Sequence, residues 1–104
     1  MKIYLANKSE EYKAVAEYDI ETNQCVVLSG SIVSDSIAQG SFRSAKSVEK
    51  LRNSEFVSGK EVKKDIIFKS PSTAANFVTG HSTNGLLAWK SEDGKKLKDV
   101  LSEN

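Results

Sequence analysis

Few side chains in this 104-residue chain are of the types that carry nucleophilic or metal chemistry. It has one histidine, His81, on a polar turn, and one cysteine, Cys25, inside an apolar run that is typical of a core strand. Nucleophilic catalysis needs a nucleophile, a base within hydrogen-bond reach and a group that orients the base. One cysteine and one histidine cannot form a disulfide or a His/Cys zinc site. We therefore predict that the chain is not an enzyme and that it has no catalytic residue, metal site or cofactor.

Two short patterns match catalytic motifs but fail on their surroundings. Residues 47–50 read Ser-x-x-Lys, yet the companion elements of penicillin-binding enzymes are absent. Residues 80–85 have the glycine spacing of a phosphate-binding loop, but Leu86-Leu87 replaces the Lys-Ser/Thr that must follow. Acidic pairs at residues 10–11 and 92–93 lie in hydrophilic turns, which favours solvated surface over acid–base chemistry.

A binding surface is the remaining candidate, because the C-terminal part of the chain is basic. Lys+Arg number 15 and Asp+Glu 14, but residues 1–40 carry a net charge of −3 and residues 41–104 a net charge of +4. Basic side chains contact phosphates, and an aromatic ring beside Asn and Ser can stack on a base. Trp89, next to Lys90 and after the Ser82–Asn84 turn, suits that role. The alternative is that this lone tryptophan fills the core, its more frequent position in a small domain.

The elements that must position these residues are short. Apolar alternation predicts strands over residues 2–5, 12–20, 24–33 and 62–68, with a hairpin turn at residues 21–23. In the second strand one face carries Tyr12, Ala14, Ala16, Tyr18 and Ile20. Residues 29–47 are rich in serine and predict a long connection.

Helix signals lie in the second half of the chain. Ser70 can cap a helix that has Pro71 in its first turn and ends at Gly80. Apolar spacing predicts a helix over residues 45–51, capped by Ser44 and with Gly59 beyond its end, and a short C-terminal helix over residues 97–101. Residues 86–90 alternate as a strand, although a single helical turn also fits.

These elements predict one α+β domain over residues 1–104. It would have a small, mostly antiparallel sheet of four or five strands and two or three short helices.

The stretch from residue 68 to residue 97 resembles the bacterial domain-of-unknown-function family DUF4357. The matching pattern is Phe68-x-Ser70-Pro71-Ser72-x-Ala74-Ala75-x-Phe77-Val78-x-Gly80-x-Ser82-x-Asn84-Gly85-x-x-x-Trp89-Lys90, followed by Gly94-Lys95-x-Leu97. Residues 26–31 and Leu51-Arg52 extend the resemblance to about residues 24–101. The pattern is also similar to the restriction-enzyme and adenine-methylase associated (RAMA) domain, a proposed reader of modified DNA.

The resemblance implies a non-catalytic accessory module, since such domains occur at the ends of Gly-Ile-Tyr-type nucleases and of restriction-modification proteins. Its implied partners are duplex DNA, modified or not, and a nuclease or methylase protein. Lys69, Lys90 and Lys95 would contact phosphates, Ser82, Asn84 and Trp89 would lie near bases, and Ser72 and His81 complete the candidate DNA-binding set. Family members often carry an aromatic residue where this chain has Leu86. The same motif is built from caps and turns, which is a signature of fold before function.

Remaining features concern location and partners. The apolar runs are too short to predict a membrane span or a signal-peptide core, and a lone cysteine favours a reducing cytoplasm, so we expect a cytoplasmic monomer. A protein-interaction or structural adaptor that does not bind nucleic acid is the alternative function. It would expose an apolar patch of a few hundred Å² or more.

Overall fold

An antiparallel sheet with helices on one face forms the frame of the molecule, in a computed structural model that describes residues 1–35 and 45–103. The described strands are β1 (Lys2–Ala6), β2 (Lys13–Tyr18), β3 (Cys25–Val27), β4 (Val57–Ser58), β5 (Glu61–Val62) and β6 (Ile66–Phe68). The described helices are α1 (Ala45–Arg52), α2 (Pro71–Thr79), α3 (Gly85–Ala88) and α4 (Leu97–Ser102). The main sheet has the order β1-β2-β3-β6, and β4 pairs with β5 alone. The predicted α+β class is confirmed.

The predicted hairpin joins β2 to β3, with Tyr18 opposite Cys25. Alternation along β2 buries Ala14, Ala16 and Tyr18, as predicted. Ile20, predicted on the same face, is 52% exposed because β2 ends at Tyr18 and the chain turns there.

The strand predicted over residues 62–68 is wrong as a single element. Residues 61–62 form β5, and the Lys63 N–H donates to the Phe56 carbonyl at 2.7 Å, beside β4. Residues 66–68 form β6, which pairs with β3 instead. Residues 63–65 are all exposed, so the alternation of buried residues is interrupted where the chain passes from one sheet to the other.

The strand predicted over residues 86–90 is also wrong, and its helical alternative is correct for residues 85–88. The Asn84 Oδ1 atom accepts the Leu86 N–H at 3.1 Å, and the Trp89 N–H donates to the Gly85 carbonyl at 3.1 Å. These two bonds close one helical turn. Lys90 then forms an antiparallel bridge with Tyr4 of β1.

α1 begins at Ala45, so its predicted cap, Ser44, lies outside the described residues, as do residues 36–44 of the predicted 29–47 connection. Gly59 does not end α1. It lies between β4 and β5 with φ of 62°, a left-handed conformation that glycine adopts without steric cost.

The core lies between the main sheet and α2. Ring centroids of Phe68 on β6 and Phe77 on α2 are 5.2 Å apart, and Ala74 and Ala75 let the helix approach the strands closely. Trp89 and Leu97 close this core and are fully buried. None of the described helices has the length and apolar character needed to cross a membrane.

Candidate nucleic-acid interface

The Ser-Pro-Ser segment begins α2 as its chemistry predicts. The Ser70 Oγ atom accepts the Thr73 N–H at 3.2 Å, and Pro71 occupies the first turn, where a backbone donor would have no partner. Gly80 ends the helix with φ of 81° and donates its N–H to the Asn76 carbonyl at 2.9 Å. These three predicted roles are confirmed.

The chain after Gly80 runs back along α2 and packs on its beginning. The Thr83 N–H donates to Asn76 Oδ1 at 2.8 Å, and the Gly85 N–H donates to Ser72 Oγ at 2.9 Å. A Cβ atom at Gly85 would lie 2.3 Å from the Pro71 carbonyl carbon, so only glycine fits. We call the contacts among Pro71, Ser72, Asn84, Gly85 and Trp89 the α2–α3 clamp.

The α2–α3 clamp engages three residues predicted to face DNA. Ser72 Oγ accepts from Gly85, and Asn84 Oδ1 caps α3. Trp89 is fully buried, and its Nε1 atom donates to the Pro71 carbonyl at 2.9 Å. The base-stacking role predicted for Trp89 is therefore corrected: a ring enclosed by protein offers no face to a base, and the core alternative holds.

The other predicted residues lie outside the clamp. His81 and Ser82 are exposed near the end of α2, where the Thr79 and Thr83 hydroxyls lie 2.7 Å apart and order the loop. Lys69 is exposed between β6 and α2. Lys95 is engaged by an acid, since its Nζ atom lies 2.9 Å from Glu103 Oε1.

Lys95 therefore has an acidic partner, and both side chains of this ion pair are exposed. The hydrogen bond to Glu103 and the charge of that carboxylate raise the pKa of Lys95. In the adjoining turn, a hydrogen bond from Ser91 lowers the pKa of Asp93.

Lys90 lies on a different surface, the side of the main sheet that α2 does not cover. Directly opposed residues of neighbouring strands share one face of a sheet. Tyr4 is opposite Lys90 on one side and Val15 on the other, and Lys90 is in turn opposite Lys96. We call this the open face; its side chains are Lys2, Tyr4, Ala6, Lys13, Val15, Glu17, Val26, Ile32, Glu61, Ile67, Lys90 and Lys96.

The open face carries net positive charge. Lys2, Lys13, Lys90 and Lys96 are exposed and form no ion pair with any residue in the described ranges 1–35 and 45–103. Glu17, directly opposite Lys2, lies 3.6 Å from the Met1 ammonium, and Glu61 lies 3.1 Å from Lys63 Nζ, so these two acids have other cations as their closest partners. Four lysines without acidic partners can therefore attract an anionic ligand to this face.

Two shallow grooves border Tyr4 and Val15 on the open face. One has a volume of about 440 Å³ and is lined by Tyr4, Ala6, Lys90, Ser91, Glu92 and Gly94. The other, of about 350 Å³, is lined by Lys13, Val15 and residues 28–32. Both volumes are within the range of about 300–1,000 Å³ that is typical of small-ligand sites.

Sequence reasoning missed Tyr4, Lys2, Lys13 and Lys96 as members of one surface. A signal existed in β1, where alternation around the buried Ile3 and Leu5 directs Lys2 and Tyr4 to the opposite face. The pairing of Tyr4 with Lys90 joins residues 86 positions apart and has no local signal, whereas Lys96 is only six residues beyond Lys90.

The titratable groups of the core do not add chemistry to these surfaces. Cys25 is fully buried, and burial raises the pKa of its thiol to about 12, so it stays protonated and unreactive at neutral pH. Among the described residues there is no group of three or more His, Cys, Asp or Glu side chains that could hold a metal ion.

Comparison with known proteins gives one match. A family model described as a domain of unknown function, DUF4357, matches residues 5–101. No curated protein and no solved structure matches this chain. The match begins near the end of β1 and runs into α4, so it includes β2, β3, β6 and the whole α2–α3 clamp.

Proposed function

The chain belongs to the DUF4357 family, and from the charge of its open face we propose that it is a non-catalytic accessory domain that binds DNA. The observation that supports this function is the set of lysines around Tyr4: four cations that form no ion pair within the described part of the chain, arranged on one sheet surface beside an aromatic residue. Lysine–phosphate contacts supply most of the sequence-independent affinity of DNA-binding proteins.

The DNA contacts proposed here differ from most of those that the sequence predicted. Lys90 stays a phosphate contact, joined by Lys2, Lys13 and Lys96. The α2–α3 clamp then holds the fold together, because its polar atoms bond within the protein.

We extend the proposal to the biological setting on the resemblance to the RAMA domain. On that reading the domain holds DNA, modified or unmodified, for a restriction-modification enzyme or nuclease, and it acts in the bacterial cytoplasm. The chemistry would be carried out by the partner protein.

Fluorescence anisotropy with labelled DNA tests the proposal. Duplex and single-stranded DNA of about 16 nucleotides, at salt concentrations of about 50 and 200 mM, should bind more weakly as salt rises. The double variant Lys2→Ser/Lys90→Ser should weaken binding and reduce the slope of log K against log salt by about 1.4 for a single strand and 1.8 for a duplex.

The matched control is Lys46→Ser/Lys50→Ser, which removes two exposed lysines of α1 that also form no ion pair with a described residue. It lowers the net charge equally and should leave most of the affinity intact. Equal losses of affinity in both double variants would show that binding depends only on the net charge of the domain. No binding to either form of DNA at low salt would overturn the function.

A protein-interaction adaptor is the second candidate, supported by two neighbouring leucines. Leu86 and Leu87 of α3 are 38% and 44% exposed, although α3 is anchored by the buried Gly85 and Trp89. Capture of a nuclease or methylase partner that survives DNA digestion, and that is lost in Leu86→Ser/Leu87→Ser, would support it. Unchanged capture of the partner by this variant would show that these leucines do not form the binding surface.

A further inference from the structure

Tyr4 is the one aromatic residue among the strand-to-strand pairs of the open face, and its ring borders the groove of about 440 Å³. It is partly buried, with Val15 beside it on β2 and Lys90 on its other side. Tyr4 therefore has a neighbour on each side, and part of the residue is accessible to solvent. A fixed aromatic ring on a sheet is a suitable platform for a nucleobase, which has a flat apolar face of its own.

The charges around Tyr4 fit a strand that passes over the ring. Lys2 lies two residues before Tyr4, Lys13 is opposite Ala6 two residues after it, and Lys90 is directly across. Residues two positions apart on a strand are about 7 Å apart. Cations thus flank the ring both along and across β1, where phosphates on either side of a stacked base would lie.

Glu92 and Ser91 line the same groove as Tyr4. A carboxylate repels a phosphate but accepts hydrogen bonds from the amino groups of bases. This arrangement favours entry of a base into the groove, with the phosphates remaining on the lysines.

The width of the open face argues against an intact duplex as its preferred ligand. From the Lys90 segment across β1, β2 and β3 to β6 there are four strand spacings, or about 19 Å. The major groove of B-DNA is about 12 Å wide and admits a helix or a two-stranded ribbon. Bases in a duplex are also stacked on each other, so they are unavailable to an aromatic ring on a sheet.

We propose that the open face binds single-stranded DNA, with one unstacked base on Tyr4 and the flanking phosphates on Lys2, Lys13 and Lys90. This inference deepens the proposed DNA-binding function and rests on it. It differs from the expectation of duplex binding that the family resemblance carries.

Three labelled ligands test the inference in anisotropy titrations at one low salt concentration: a single strand, the same sequence as a duplex, and an abasic strand with the same number of phosphates. The wild-type chain should bind the single strand at least about fivefold more tightly than the abasic strand, since stacking one base contributes a factor of about 5 to 150. It should also bind the single strand more tightly than the duplex. The variant Tyr4→Leu should bind the single strand about 5- to 100-fold more weakly and lose the discrimination against the abasic strand.

The conservative variant Tyr4→Phe is the control, because it keeps the ring and should retain the affinity of the wild type. Wild-type discrimination against the abasic strand needs no variant, so the test stands even if Tyr4→Leu fails to fold. Duplex binding equal to or tighter than single-strand binding, or equal binding of the abasic strand, overturns this inference and leaves DNA binding in place. Absence of binding to all three ligands overturns the proposed function as well.

Discussion

The guanidinium group of Arg52, at the end of α1, caps the last turn of α2 through the carbonyl of Phe77. Nη2 and Nε of Arg52 donate to that carbonyl at 2.7 and 3.2 Å, and Nη2 also reaches the Val78 carbonyl at 3.2 Å. Nη1 donates to the Ser34 carbonyl at 2.6 Å. A cation at a helix C-terminus satisfies carbonyls that lack intrahelical donors and interacts favourably with the helix dipole. Partial burial lowers the pKa of Arg52 to about 10, so the side chain stays charged at neutral pH.

We expect Arg52→Met to destabilise the domain by about 2 kcal/mol, because hydrogen bonds from a charged donor to several carbonyls are lost together. Urea denaturation measures the change. The control is Lys50→Met, an exposed neighbour on α1 that should change stability by less than about 0.5 kcal/mol. Equal losses of stability in the two variants would show that Arg52 does not cap α2.

The stability of the domain should fall in alkaline solution because of Cys25. Burial raises the pKa of its thiol from 9.0 to about 12, so the unfolded chain loses this proton at a lower pH than the folded chain does. The contribution is complete below pH 9 and is lost as pH rises toward 12, at about 1.4 kcal/mol per pH unit. Between about pH 8 and pH 10.5 the free energy of unfolding should drop by roughly 2 kcal/mol from this group.

The comparison variant for this pH effect is Cys25→Ala, which removes the titrating group. Burial also raises the pKa of Tyr18, so a shallower decline from that residue should remain. Identical pH slopes in the two proteins would show that Cys25 is not protected from ionisation.

Gly85→Ala should destabilise the domain by about 3 kcal/mol or prevent folding, because the new methyl group would lie 2.3 Å from the Pro71 carbonyl carbon and 2.4 Å from the Ser72 nitrogen. Neither atom belongs to a flexible side chain. Thermal melting of this variant beside Leu87→Ala, on the same helix and 44% exposed, checks the result. A melting temperature like that of Leu87→Ala would contradict the close packing in the α2–α3 clamp.

Trp89 fluorescence should change when the domain unfolds and should not change when DNA binds. Its ring is fully buried and its Nε1 atom is bonded to Pro71, so emission should occur at short wavelength and resist quenching by iodide. Saturation with DNA should leave this emission unchanged while anisotropy of the labelled DNA rises. Strong quenching of Trp89 by DNA would restore the stacking role that the buried position argues against.

Local chemistry was sufficient to predict much of this fold. The limits of α2 follow from Ser70, Pro71 and Gly80, whose conformational preferences act within a few residues. The alternation in β1 and β2 also follows from the sequence, because side chains of period two face a single core. The single strand predicted over residues 62–68 failed because its apolar residues at 62, 66 and 68 have pairing partners in two different sheets.

The candidate surface depended on contacts between distant parts of the chain. Sequence by itself determined that Lys90 follows Trp89 and that Tyr4 alternates with buried residues. The tertiary pairing of Lys90 with Tyr4 decides that Trp89 lies in the core and that Lys90 lies on the opposite face of the sheet. The same pairing brings lysines from both ends of the chain onto one surface. Likewise, Arg52 reads as a surface cation in sequence and becomes a helix cap because α1 packs against the end of α2. The preference of a segment for a helix, strand or turn depends on residues close to it in sequence. The face on which a charged side chain lies depends instead on which other strand or helix packs against the element that carries it.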